Sequence, residues 1–147
     1  MRFETNMKGI YALGLIIEKD ICVKVGALGY IFFQKGWYVY VGSALNSLEP
    51  RLLRHIGKSK GNVGKLHWHI DYLLNKMAVR ITNIFIKETL EKEECVLARN
   101  VGRHGVSISG FGSSDCRCDG HLFSVDDFGF LEGFGLVECS NGLDLTS

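Results

Sequence analysis

A short segment of the chain places two arginines and a histidine close together, just after a tyrosine-rich run. In "GWYVYVGSALNSLEPRLLRH", Arg51, Arg54 and His55 share one side of the helix predicted at 48–56. Leu53 and the other apolar residues fall on the opposite side. An arginine fork matches two phosphate oxygens, and a nearby histidine can donate to them or move a proton. The pattern indicates a phosphate-binding face, or else an exposed amphipathic helix.

The charge of the chain is concentrated in this region. The net charge is only +1, yet residues 51–70 contain five basic residues and no acidic one. Such a segment could bind the phosphate backbone of a nucleic acid, or it could be a solvated face. Besides Arg51, the candidate nucleic-acid-binding residues are Arg54, Lys58, Lys60 and Lys65.

An acidic residue in the last predicted helix, about 90–105, has an unusual position. Glu94 lies one turn after Leu90 and three residues before Leu97, at the edge of the apolar stripe. An unpaired carboxylate at such a position is costly, so we expect Glu94 to have a partner. A divalent cation, a buried salt bridge and a tyrosine hydroxyl are the candidates.

The segment "HWHIDYLL" offers a second acid–base pair. His67 and Asp71 lie one turn apart beside the apolar face of a helix predicted over about 66–77, in which Met77 continues that face. The pair could orient an imidazole for proton transfer, or it could be a structural hydrogen bond. Trp68, between them, could stack on a base or pack in the core.

A cysteine-containing segment, "SDCRCDGHLF", brings Cys116, Cys118 and His121 close together. Structural zinc sites need a fourth ligand, and Cys139 is the only other cysteine nearby in the sequence. We therefore expect a thiol-lined packing corner here and treat zinc as the alternative. The five cysteines are irregularly spaced, which favours reduced thiols over a disulfide framework.

The length and the composition of the chain are those of a globular protein. The chain has 147 residues, 46% hydrophobic and 22% charged, which predicts one domain over 1–140 and a frayed tail at 141–147. No apolar run reaches the roughly 18 to 20 residues of a membrane span. The first residues lack the apolar stretch of a signal peptide. We therefore expect a cytoplasmic protein with no membrane partner.

The periodicity of the chain predicts alternating strands and helices. A buried strand at 9–17 is followed by one or two strands at 21–33, interrupted at glycines. The turn "QKG" predicts that 30–42 forms a hairpin. After the helices and the strand "VRITNIFIKE", the last forty residues are expected to form loops and a short strand pair.

Two tripeptides and the helix after them resemble a known superfamily. "Gly9-Ile10-Tyr11", followed by "Tyr40-Val41-Gly42" and then by an arginine and a histidine, is similar to the GIY-YIG nuclease superfamily. The segments "HWHIDYLL", "EC" with "LAR", and "FGSSDCRC" with "HLF" resemble an uncharacterised subfamily, a domain of unknown function found mainly in archaea. Members of that subfamily also occur fused to endonuclease III-type glycosylases.

The resemblance implies a small α/β sandwich, in which helices flank a central antiparallel sheet. It implies a hydrolase that cuts phosphodiester bonds with one Mg²⁺ or Mn²⁺ ion held by Glu94. The other implied catalytic residues are Tyr11, Tyr40, Arg51 and His55. Because the two tyrosines are 29 residues apart, a hairpin must be inserted between their strands, and a C-terminal extension follows.

Three hypotheses follow for function. The first is a metal-dependent endonuclease acting on DNA, with base-excision repair proteins as partners. The second is a non-catalytic nucleic-acid-binding module of the same fold. The third is an interaction domain held together by zinc at the cysteine-containing segment.

Overall fold

A six-stranded antiparallel sheet forms the centre of the computed structural model, which describes residues 7–61, 64–114 and 116–139. The predicted α/β class, with a central antiparallel sheet flanked by helices, is confirmed; the predicted tail at 141–147 lies outside the described residues. The sheet strands are β1 (Gly9–Ile17), β4 (Gly36–Ala44), β5 (Val79–Glu88), β6 (Gly105–Ser107), β7 (Leu122–Val125) and β8 (Val137–Glu138).

The two tyrosine-bearing strands are neighbours in this sheet, whose strand order is β6-β7-β4-β1-β5-β8. In the β1–β4 register, Tyr11 lies opposite Gly42 and Leu13 lies opposite Tyr40. Alternate residues of a strand share a face, so both tyrosines project from the same face as diagonal neighbours. The long sequence separation of the two tyrosines therefore does not separate them in space.

The residues between these strands form the predicted insertion, although their pairing differs from the prediction. Strands β2 (Ile21–Lys24) and β3 (Tyr30–Phe33) pair with each other in a separate two-stranded sheet. A turn containing the 3-10 helix Gly26–Leu28 joins them, and Gly26 and Gly29 have φ values of +48° and +77° that favour glycine. The predicted 30–42 hairpin is wrong, because β4 pairs with β1 and β7.

Helices cover both faces of the sheet. Helices α1 (Leu48–Ser59) and α2 (His69–Leu74) pack on the face that carries the tyrosines. Helix α3 (Glu94–Val101) and the 3-10 helix Gly129–Phe134 pack on the opposite face. None of the described helices combines the length and the apolar content needed to cross a bilayer.

The helix α1 is rotated relative to the predicted amphipathic pattern. His55 was expected on the polar side but is fully buried, whereas Leu53 is 50% exposed. The rings of Tyr11, Tyr40 and Trp68 lie 5.5, 6.0 and 5.9 Å from the His55 ring, so an aromatic environment surrounds the imidazole. Partners of this kind cannot be predicted from helical periodicity.

The other two helices are shorter than predicted. Helix α2 ends at Leu74, and Met77, which was expected on its apolar face, is exposed. Helix α3 begins at Glu94, so the exposed Leu90 is not part of its buried stripe. Glu94 therefore belongs to the first turn of α3.

Candidate functional site

A cleft of about 670 Å³ beside the central strands β1 and β4 brings together residues from four elements. Tyr11 from β1, Tyr40 from β4, Arg51 from α1 and Glu94 from α3 all line it. Helix α3 packs on the far face of the sheet, but its first residue reaches the cleft. The fifth predicted catalytic residue, His55, lies directly behind Tyr11 and contacts it.

The hydroxyl of Tyr11 is held by the buried imidazole. Its oxygen lies 2.7 Å from Nε2 of His55, and both residues are buried. Gly42 makes this position possible, because a Cβ at residue 42 would lie 2.4 Å from the Tyr11 hydroxyl. The glycine after Tyr40 and Val41 thus provides space for the ring on the neighbouring strand.

Burial sets the protonation of these three groups. It raises the pKa of Tyr11, an effect that Arg51 opposes, and it raises the pKa of Tyr40 well above the ordinary value. For His55, burial and the positive charge of Arg51 and Arg54 lower the pKa to about 3, although Asp71 opposes them. Both phenols and the neutral imidazole are therefore uncharged in the free protein at neutral pH.

Arg51 is held in place at the cleft by two contacts. Its Nη1 donates to the backbone oxygen of Ser43 at 2.9 Å, and its guanidinium carbon lies 4.4 Å from the centre of the Trp68 ring. Arg54 lies over the same ring at 4.7 Å. Cation–π contacts of this kind orient a guanidinium without occupying all its donors. Arg51 therefore combines a fixed position with N–H groups available to an anion.

Asp71 does not orient the His67 ring, which corrects the predicted acid–base pair. Its Oδ2 accepts the backbone N–H groups of His67 and Trp68 at 2.8 and 2.9 Å, and Nη2 of Arg54 at 2.7 Å. These partners outweigh burial and lower the pKa of Asp71. The carboxylate thus fixes the backbone before α2, while His67 lines the cleft separately.

Glu94 has a defined partner on each carboxylate oxygen. Oε1 accepts the hydroxyl of Ser43, and Oε2 lies 2.7 Å from Nδ1 of His121. Burial would raise the pKa of Glu94, but His121, Ser43 and Arg51 together lower it. The side chain remains 30% exposed and lines the cleft. An ionised carboxylate with unused lone pairs is a suitable ligand for a hard divalent cation.

The predicted nucleic-acid-binding residues separate into two groups. Lys60 and Lys65 are exposed, as a contact with a phosphate backbone requires. Lys58 is 4% exposed, so it is not available on the surface, and this prediction is corrected. Arg54 forms an ion pair with the buried Asp71, so its main contact is within the protein.

The cysteine-containing segment lies beside a cysteine from another part of the chain, Cys95 of α3. Potential ligand atoms of four residues, Cys95, Cys116, Cys118 and His121, all lie within 4.8 Å of one another. We call this group the Cys–His cluster. Cys139, the fourth residue considered from the sequence, lies instead in the core beside β5. Its backbone N–H donates to the backbone carbonyl oxygen of Ile84.

Sequence reasoning missed three residues of this region. Ser43 and Cys95 directly follow the predicted Gly42 and Glu94, so adjacency was the available signal for both. His69 lines the cleft and accepts the backbone N–H of Gly112 at 2.8 Å. No sequence pattern indicates that long-range contact.

The fold and the site define a small antiparallel α/β protein with a cleft that combines two phenols, a guanidinium and a carboxylate. The profile described as "Domain of unknown function DUF123" matches residues 10–133, and the chain belongs to that family. No curated protein and no solved structure matches the chain.

Proposed function

We propose that this protein is a divalent-metal-dependent endonuclease acting on DNA and that its family is a divergent branch of the GIY-YIG superfamily. The observation that supports this most is the shared cleft of Tyr11, Tyr40, Arg51 and Glu94. These residues come from four elements, and the sequence analysis predicts all of them as catalytic. A phosphodiester is an anion, and the cleft offers it a cation and hydroxyl groups.

Arg51 would bind the non-bridging oxygens of the phosphate. Its contacts with Ser43 and Trp68 fix the guanidinium before any ligand arrives. A preorganised cation stabilises the negative charge that develops on those oxygens in the transition state. The same charge lowers the pKa of Tyr11 against the effect of burial.

Glu94 would hold the metal ion in this mechanism. Its lowered pKa keeps the carboxylate ionised, and Ser43 and His121 fix its orientation. A Mg²⁺ or Mn²⁺ ion bound there would neutralise phosphate charge and stabilise the leaving oxygen.

The two tyrosine hydroxyls would position the attacking water. One of them would accept the water's proton as a phenolate, a form that the positive charges of Arg51 and of the bound ion would favour against the effect of burial. Tyr40 and Tyr11 project from adjacent strands, and both residues line the same cleft. Because the pKa of His55 is about 3, the imidazole is too weak a base to hold the proton at neutral pH. We therefore assign His55 the positioning of the Tyr11 hydroxyl, which it contacts at 2.7 Å.

The test is cleavage of DNA by the purified protein in the presence of Mg²⁺ or Mn²⁺. Single-stranded, branched and base-damaged duplexes cover the substrates expected for a repair enzyme. We expect nicking by the wild type and none by Glu94→Gln or Arg51→Ala. Two matched controls should retain activity: Glu93→Gln, which changes the neighbouring acid, and Arg80→Ala, which removes an arginine paired with Glu18 outside the cleft.

Failure of all these substrates to be cut would refute the proposal. If the inert protein still bound DNA, the non-catalytic binding module would replace it, with the exposed Lys60 and Lys65 on the phosphate backbone. That binding should weaken steeply between two salt concentrations and should not require a divalent metal.

A further inference from the structure

The Cys–His cluster has the composition and dimensions of a closed tetrahedral metal site. With Zn–S bonds of about 2.3 Å and Zn–N bonds of about 2.05 Å, tetrahedral geometry separates sulfur and nitrogen ligands by roughly 3.5 Å. In the structure, Nε2 of His121 lies 3.5 Å from Sγ of Cys116 and 4.0 Å from Sγ of Cys95. The cluster therefore needs little adjustment to enclose an ion.

We propose that Cys95, Cys116, Cys118 and His121 bind one structural Zn²⁺ ion. Three thiolates and an imidazole are borderline-soft donors, which favour zinc over Mg²⁺ or Mn²⁺. Four protein ligands leave no open position for a substrate, so the site is structural. The cluster thus differs in chemistry from the single hard carboxylate of Glu94.

The zinc would connect two parts of the chain that contribute to the cleft. Cys95 is the second residue of α3, whereas the other three ligands lie in the loop that leads into β7. Gly112 and Ser114 of the same loop line the cleft. A metal bond between helix and loop would hold the rim of the cleft in place.

The imidazole of His121 links the zinc site to Glu94. Its Nε2 faces the sulfur atoms, while its Nδ1 lies 2.7 Å from Oε2 of Glu94. Zinc on Nε2 requires the ring proton to be on Nδ1, the nitrogen that lies beside the carboxylate. The zinc would thereby fix the orientation of Glu94, a consequence that rests on the proposed function.

The zinc site itself is tested by metal analysis and does not depend on any activity. Protein purified under reducing conditions should contain one zinc per chain. Replacement by Co²⁺ should give the visible bands of tetrahedral coordination and near-ultraviolet thiolate charge-transfer bands. Cys95→Ser should abolish the spectrum, and Cys22→Ser, at an exposed cysteine in β2, should leave it unchanged.

Three results would overturn the site: wild-type protein that binds neither zinc nor cobalt, a disulfide between two cysteines of the cluster in the reduced preparation, or a cobalt spectrum unchanged in Cys95→Ser. If Cys95→Ser does not fold, the zinc content and cobalt spectrum of the wild type decide the question.

The link to Glu94 is tested with His121→Cys, which supplies a fourth thiolate and removes the imidazole. We expect this variant to retain one zinc and to lose roughly 10- to 100-fold in cleavage rate, as removal of an outer-shell partner typically does. Retained zinc with an unchanged rate would refute the link. A wild type that contains zinc and cuts nothing would refute the nuclease but not the zinc site.

Discussion

Replacement of Asp71 by asparagine should destabilise the protein far more than the loss of a surface charge. The Asp71 side chain is fully buried, and one oxygen accepts two backbone N–H groups and the Arg54 guanidinium. The amide oxygen of asparagine can still accept the backbone donors. What disappears is the charged partner of Arg54, and a hydrogen bond to a charged group is worth about 1.5 to 3 kcal/mol.

We therefore expect Asp71→Asn to lower the free energy of unfolding by about 2 to 3 kcal/mol, below the roughly 3 to 5 kcal/mol for leaving a buried charge without any partner. For a protein of this size the corresponding loss in melting temperature is about 4 to 12 °C. Urea denaturation at neutral pH measures the free energy, and calorimetry measures the melting temperature.

A matched control is the exposed pair between Arg80 and Glu18. Its nitrogen and oxygen are 2.6 Å apart, but the side chains are 56% and 48% exposed. Such pairs contribute about 0 to 1 kcal/mol, so Glu18→Gln should have little effect. A loss from Asp71→Asn no larger than that of the control would refute the role given to the buried carboxylate.

The pH dependence of stability provides an independent check. The pKa of Asp71 is lowered in the folded protein, so its contribution is complete above the unfolded value of about 3.9. That contribution is lost as the pH falls through the folded pKa. The stability difference between wild type and Asp71→Asn should therefore shrink below about pH 4, and a difference that stays constant would contradict this explanation.

Three further predictions concern the Tyr11 contact. Gly42→Ala should displace the Tyr11 ring and cost about 1 to 3 kcal/mol in urea denaturation, whereas Gly133→Ala, where a Cβ meets nothing within 4 Å, should be neutral. Tyr11→Phe leaves Nε2 of the buried His55 without its hydroxyl partner and should cost about 1 to 3 kcal/mol; a smaller loss would refute the contact. The pKa of His55 is about 3 in the folded protein and about 6.5 in the unfolded chain, so the unfolded state binds more protons between those values. The free energy of unfolding should therefore decrease as the pH is lowered through that range. His55→Gln should flatten that slope when unfolding is measured from pH 7 to pH 4.

The strands were predictable from the sequence because their apolar patterns are local. The boundaries of β1 agree with the run at 9–17, and the insertion between Tyr11 and Tyr40 follows from their separation alone. The pairing of β3 was not predictable, because the short "QKG" turn suggested a neighbour in sequence. In the structure β4 pairs with β1 in the central sheet, and β3 pairs with β2 in the separate two-stranded sheet.

The site shows the same division between local and long-range information. Arg51 and Glu94 were selected from helical spacing, and both line the cleft, although the helix that carries Glu94 begins later than predicted. The burial of His55 was missed, because it depends on rings contributed by other elements. A helical pattern gives the side of a helix but not what packs against it.

The clearest example is the fourth member of the Cys–His cluster. Cys139 is near Cys116 and Cys118 in the sequence, but strand β7 and a 3-10 helix lie between them along the chain, and Cys139 is not part of the cluster. Helix α3 packs on the far face of the sheet, and its first turn carries Cys95 beside the loop that precedes β7. The same placement brings Glu94 to the cleft on one side of His121 and the thiols to the other. Adjacent residues on one helical turn thus reach two different groups of side chains, the cleft and the Cys–His cluster, and only the three-dimensional path of the chain explains why both are there.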